Sequence, residues 1–240
     1  DYFLCSTSYL IPTKVYLTVK KTQRIIVHAD DLNEIFINKS PIIDSNKKIG
    51  VFIDQVIPFA SKTHPLVYPP GTLPENYLEK YYEEIARTLK QVKARLDLDE
   101  IVISMHPNSI HFKKELKDKL PGYTRFLWRT PELIKDCYVV LSHGSTALSY
   151  AVYYKKPIIL LESKRLKKIE KIDQVFRFFK EKLNLNSIYI DQETIEFNDL
   201  KVDDKCYNEY LRKFLKDSEV EENAYYYAST KIINECNAEN

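Results

Sequence analysis

The sequence predicts an α/β fold in which a mostly parallel sheet carries helices on both faces. Short apolar runs alternate with helix-period segments from Lys48 onward, the pattern of successive βαβ units. The runs are apolar almost throughout, without the polar alternation of a half-exposed strand, as expected where helices cover both faces. The chain has 240 residues, 44% of them hydrophobic, enough for one sizeable domain of this kind plus an extension.

Residues 1–48 carry a mixed pattern. "YFLCSTSYLI", "KVYLTV" and "RIIVHA" each read as a short strand, and "DDLNEIFI" as a helical turn or two. This stretch is expected to be a reduced second domain or a linker. From Lys48 the signal sharpens. "IGVFIDQ" is a buried strand, followed by a long loop with Pro58, Pro65, Pro69, Pro70, Gly71 and Pro74, a length usually tied to function or mobility. Pro74 to Asp97 is the clearest helix. Pro-Glu suits its first turn, and Leu78, Tyr81, Tyr82, Ile85, Leu89 and Val92 form one apolar stripe. Strand "EIVISMHP", helical "SIHFKKELKDKL", strand "YTRFLW", helix "PELIKDC", strand "YVVLSHG", helix "STALSYAVYYK" and strand "PIILLES" follow. A charged helix from about Leu166 to Leu183, strand "SIYID" and two tail helices, near Asp203–Lys216 and Glu219–Cys236, complete the chain. The expected division is 1–48, a Rossmann-like domain over 49–200, and a helical tail over 201–240.

Composition removes several function classes. The net charge is +2 with 29% charged residues, too balanced for a dedicated nucleic-acid binder. The four cysteines, Cys5, Cys137, Cys206 and Cys236, have no CxxC spacing and read as free thiols of a reducing compartment. No apolar stretch approaches the roughly 20 residues of a membrane span. No signal peptide is read, and Asp1 is expected to be a fragment boundary. No metal-ligand cluster, GxSxG elbow, GxGxxG or GxxxxGK[ST] pattern occurs.

Two strand ends carry the candidate chemistry. In an open parallel sheet, ligands sit at the carboxyl ends of strands. His106-Pro107 closes one run: Pro107 fixes the backbone, and the imidazole can donate to a phosphate oxygen or move a proton to a leaving group. Ser142-His143-Gly144-Ser145-Thr146 closes another. Hydroxyl residues at a helix start cap free N–H groups, and the same N–H groups suit a phosphate. Gly144 permits a sharp turn and a close ligand approach. Both stretches also admit a plain structural reading, as a capped helix start and a histidine satisfied by a carbonyl.

The segments "ISMHP", "RTPELI" and "VLSHGSTALSYAVYYKKPIILLES" resemble the nucleotide-binding half of bacterial sialyltransferases, especially the polysialyltransferase and lipooligosaccharide types. The resemblance spans about Ile49 to Ser163. It implies one half of a two-Rossmann-domain glycosyltransferase of capsule or lipooligosaccharide synthesis, with a CMP-activated sialic acid as donor and a glycan or glycolipid as acceptor. No cofactor or metal is implied. His106 would contact the phosphate and protonate the departing CMP, with Pro107, Ser142, His143, Gly144, Ser145 and Thr146 around the phosphate. Glu132 would accept from the ribose hydroxyls, or else is an acidic first-turn residue that favours its helix. The family's acidic base lies in a Gly-containing motif that this chain lacks. Asp54 is the nearest candidate, with Asp30 and Asp31 behind it, and Asp54 also reads as a cap for its loop. A cytoplasmic location is expected; the lysines of residues 164–171 read first as a solvated helix face, the alternative being a basic edge for peripheral contact with the inner membrane. His64 in the proline-rich loop reads as part of a lid or as a plain surface histidine.

The same His-Pro and small-residue turn also resemble UDP-N-acetylglucosamine 2-epimerases and CDP-glycerol-dependent teichoic-acid transferases. The epimerases' Ser-Gly-Gly turn and following acidic pair are replaced here by Ser-His-Gly-Ser-Thr. A non-catalytic nucleotide-sugar-binding domain is the third reading, on the missing acidic-Gly motif.

Overall fold

The computed structural model describes residues 2–5, 23–36, 40–44, 46–63, 71–74, 77–197, 200–216 and 221–238. Strand reading "KVYLTV", the side chain of Asp31 and the lid candidate His64 lie outside them. The chain divides into two compact units, Ser40–Val202 and a smaller one made of Asp1–Lys39 with Asp203–Asn240.

In the smaller unit, β1 (Tyr2–Cys5) pairs in parallel with β2 (Gln23–Ile26), and a 3₁₀ helix covers Asp30–Phe36.

The larger unit is built on six parallel strands: β3 (Ile49–Asp54), β4 (Glu100–Met105), β5 (Arg125–Leu127), β6 (Val139–Ser142), β7 (Ile158–Glu162) and β8 (Asn186–Tyr189). Their spatial order is β5-β4-β3-β6-β7-β8, so the chain builds outward from β3 in one direction, then crosses back and builds outward in the other. This is the doubly wound Rossmann-like α/β order that the alternating pattern predicts. β3, β6 and β7 are buried along their whole length, which explains their unbroken apolar sequences.

Helices α1 (Ala60–Thr63), α2 (Tyr77–Leu96), α3 (Lys113–Leu116), α4 (Thr130–Asp136), α5 (Leu148–Tyr153) and α6 (Glu170–Leu183) connect the strands. The predicted stripe of α2 is buried at Tyr81, Tyr82, Ile85, Leu89 and Val92. Tyr77 takes the place expected for Leu78, which is half-buried. Two helices are shorter than their sequence pattern. Residues 107–112 form a 3₁₀ helix that leaves α3 a single turn, and α5 begins only at Leu148.

In the C-terminal part of the smaller unit, α7 (Asp204–Tyr210) runs into a π-helical turn at Leu211–Leu215, and α8 spans Ala224–Ala238. The terminal segments, separate in the sequence reading, share one core of Ile25, Val27, Ala224 and Ala228. Hydrogen bonds tie them as well: Ala29 N–H donates to Leu215 O at 2.6 Å, and the His28 ring reaches Glu222 O at 2.8 Å.

Candidate nucleotide site at the strand ends

The order of strands reverses between β3 and β6, and crevices at such reversals receive ligands outside the carboxyl ends. His106 follows β4 and Ser142–Thr146 closes β6. The two strands flank β3 rather than each other. Their ends therefore stand two strand spacings apart, roughly 9–10 Å.

His106 has extended backbone and caps the 3₁₀ turn that Pro107 opens, its Nδ1 accepting from the Asn108 N–H at 3.1 Å. Because Nδ1 accepts, a neutral ring carries its proton on Nε2, the nitrogen that can donate. The half-buried side chain sits at the end of a strand whose interior is buried.

Ser142 is fully buried, and its Oγ accepts from the N–H groups of Gly144 and Ser145, each at 3.3 Å. Ser145 Oγ accepts from Ala147 N–H at 3.2 Å. Leu148 N–H and Ser149 N–H reach back only three residues, to Ser145 and Thr146. The turn thus tightens before α5 begins, and Ser145 and Thr146 stand ahead of the helix rather than on its first turn. Ser145 is half-buried and Thr146 exposed.

Two members of this turn differ from expectation. Gly144 does have the left-handed backbone that favours glycine, φ 97°. The space a side chain would need, however, is filled from within. A Cβ there would lie 2.8 Å from Val175 Cγ1 and 3.1 Å from Phe179 Cδ2, both on α6. Gly144 is therefore required by helix packing, with no ligand needed to account for it. His143 is turned inward and only 3% exposed. Its ring packs near Tyr81 and Phe176, with centroids 5.6 and 6.4 Å away. Nδ1 lies 2.6 Å from Leu161 O and so carries the proton, and burial holds the ring's pKa down to about 4. This neutral core imidazole faces the sheet, correcting the expectation that it faces the ligand.

Asp54 ends β3 and is 6% exposed. Val56 N–H donates to Oδ1 at 2.9 Å and the Tyr82 hydroxyl to Oδ2 at 3.0 Å. Burial raises its pKa, against the lowering effects of those two hydrogen bonds and of Arg125. The carboxyl group borders a small hollow of about 10 Å³, room for about one water. It braces the turn at Val56, a buried β-branched residue with φ 46°, ψ 41°. That is the loop-cap reading, with both carboxylate oxygens engaged within the fold.

Glu132 lies in the first turn of α4, as the sequence indicates, 7% exposed. Arg129 Nε donates to its Oε1 at 3.0 Å, and the same guanidinium reaches Ser40 O at 3.1 Å. Ser104 and Thr130 hydroxyls meet at 2.7 Å, joining the end of β4 to the start of α4.

Further along the sheet edge lies a polar network that sequence reading missed. Glu162, fully buried at the end of β7, accepts from Lys167 Nζ at 2.7 Å and Lys180 Nζ at 3.3 Å. Arg165 pairs with buried Glu84. Two cations of the lysine-rich segment are thus engaged inside the unit. The signal was a glutamate ending an otherwise apolar strand, which must be paired when buried. Cys137 is also buried, its thiol pushed up to about 12 by desolvation, as suits an inert core cysteine.

No protein-family model matches the chain, and no curated protein sequence matches it. Solved structures similar in part include the following two. One is the β-Kdo 2,4 transferase KpsC of Thermosulfurimonas dismutans, at 13% identity and TM-score 0.35 over 55% of this chain and 41% of that one. The other is MnaA of S. aureus, solved with UDP, at 16% identity and TM-score 0.36 over 70% of this chain and 48% of that one. The chain spans less than half the length of either.

Proposed function

We propose that Ser40–Val202 is the donor-binding half of an inverting glycosyltransferase that moves an acidic sugar from a CMP-activated donor to a glycan acceptor. The observation that carries this reading is the pair of polar strand ends, His106-Pro107 and Ser142–Thr146, on either side of β3 at the reversal of strand order. A phosphate between them meets one imidazole donor and the hydroxyls of Ser145 and Thr146. Charge developing on departing CMP is stabilised there by these donors, and His106 in its protonated form supplies the proton. Glu132 is the carboxylate within the same strand-end region suited to ribose hydroxyls.

The acceptor-activating base is assigned outside this unit, since both oxygens of Asp54 are engaged. The inward Asp54 also favours a second reading, a nucleotide-sugar-binding domain without its own base.

Calorimetric titration with CMP, CDP and UDP tests the donor class, followed by CMP release from CMP-sialic acid with an oligosaccharide acceptor. CMP is expected to bind most tightly. Preference for UDP overturns the CMP reading, and CMP binding without turnover supports the second one. His106→Ala is expected to weaken CMP binding by about 1–3 kcal/mol, the scale of a lost charged hydrogen bond; an unchanged affinity removes His106 from the site.

A further inference from the structure

The chain's single tryptophan, Trp128, is 61% exposed. A large aromatic ring left in water forfeits the burial that stabilises most tryptophans. Its backbone is also unusual, with φ 62°, in the region glycine favours. The positive-φ residues Asp97, Lys155 and Asn184 simply end helices, where such a turn is common. Trp128 instead directly follows β5, at the carboxyl edge of the sheet.

Its surroundings hold it there. Leu127 pairs with Met105, so Trp128 and His106 are the next residues along adjacent parallel strands. On the other side, Arg129 is fixed by Glu132 and Ser40, and Thr130 by Ser104. The backbone that carries the exposed ring is thus held between pinned neighbours. Ile110, in the turn that His106 caps, adds a second exposed apolar side chain at this edge.

We infer that Trp128 is the stacking platform for the base of the bound nucleotide. This rests on the donor-site reading above and deepens it. A base over the end of β5 leaves the ribose near Glu132 at the start of α4 and directs the phosphate toward His106 and β3. Stacking on a π-face tolerates any base, so Trp128 supplies affinity and orientation rather than discrimination between bases.

Because Trp128 is the only tryptophan, its fluorescence reports this contact directly. The full chain is titrated with CMP, UMP and ribose 5-phosphate, following both calorimetric heat and tryptophan emission. CMP and UMP are expected to quench emission with midpoints matching their calorimetric affinities, while ribose 5-phosphate, lacking a base, does not quench. Trp128→Ala is expected to lose about tenfold or more in CMP affinity, the scale of a lost base stack, with ribose 5-phosphate affinity unchanged. Trp128→Phe is expected to restore most of the loss. Calorimetric CMP binding without quenching, or with equal quenching by ribose 5-phosphate, overturns the platform while leaving the donor site standing. Absence of calorimetric binding by every nucleotide overturns both. The wild-type titration decides the matter even where the alanine variant fails to fold.

Discussion

Asp54 and His106 both end parallel strands, and their neighbours give them opposite characters. Asp54 receives two hydrogen bonds from within the fold, at Val56 and Tyr82, and is closed off. Its raised pKa means that ionisation is opposed by burial, so the charge itself adds little to stability. Asp54→Asn keeps an acceptor for Val56 N–H and a polar partner for Tyr82. It is expected to leave stability at pH 7 unchanged or slightly higher. Asp54→Ala strands both donors and is expected to cost about 1–3 kcal/mol. Urea unfolding of the two variants checks this, and equal losses would show that the charge, not the hydrogen bonds, is what matters. The sequence allowed Asp54 both roles, base and loop cap. Choosing between them required knowing that Tyr82, 28 residues away, reaches its second oxygen.

Among the elements, the contact between α6 and the turn after β6 is the one that most changes the reading of the site. Gly144 read as a residue that admits a ligand; Val175 and Phe179 of α6 occupy that space instead. Gly144→Ala therefore meets two penalties, a left-handed backbone and a crowded Cβ, and is expected to destabilise by about 2–4 kcal/mol. Pairing it with Val175→Ala should recover the crowding part and leave the backbone part. Denaturant midpoints of the single and double variants separate the two, and strict additivity would exclude the contact. The element boundaries were legible where periodicity was long, as in α2. They failed where three-residue hydrogen bonding replaced helix, after His106 and before α5, because apolar spacing does not distinguish a 3₁₀ turn from an α turn over a few residues.

For the molecule as a whole, His143 is expected to make stability depend on pH. The buried ring has a pKa of about 4 against an ordinary 6.5. Between those values the unfolded chain binds a proton that the folded one does not, so stability rises with pH across that window. Acidification from pH 6.5 toward 4 is expected to remove stability at up to about 1.4 kcal/mol per pH unit. His143→Gln, which can still donate to Leu161 O, is expected to lower stability at pH 8 but to flatten the acid limb. Urea unfolding at several pH values measures both slopes, and parallel curves would place the dependence elsewhere. By itself the sequence determined the parallel α/β architecture, the identity of its buried strands and the two polar strand ends, because burial on both faces and the endings of apolar runs are local properties of the chain. Only the tertiary structure decided that β3 lies between those ends, that His143 and Asp54 turn inward, and that Trp128 is left in the open. Strand order and side-chain direction are set by what packs across the sheet, which no local pattern records.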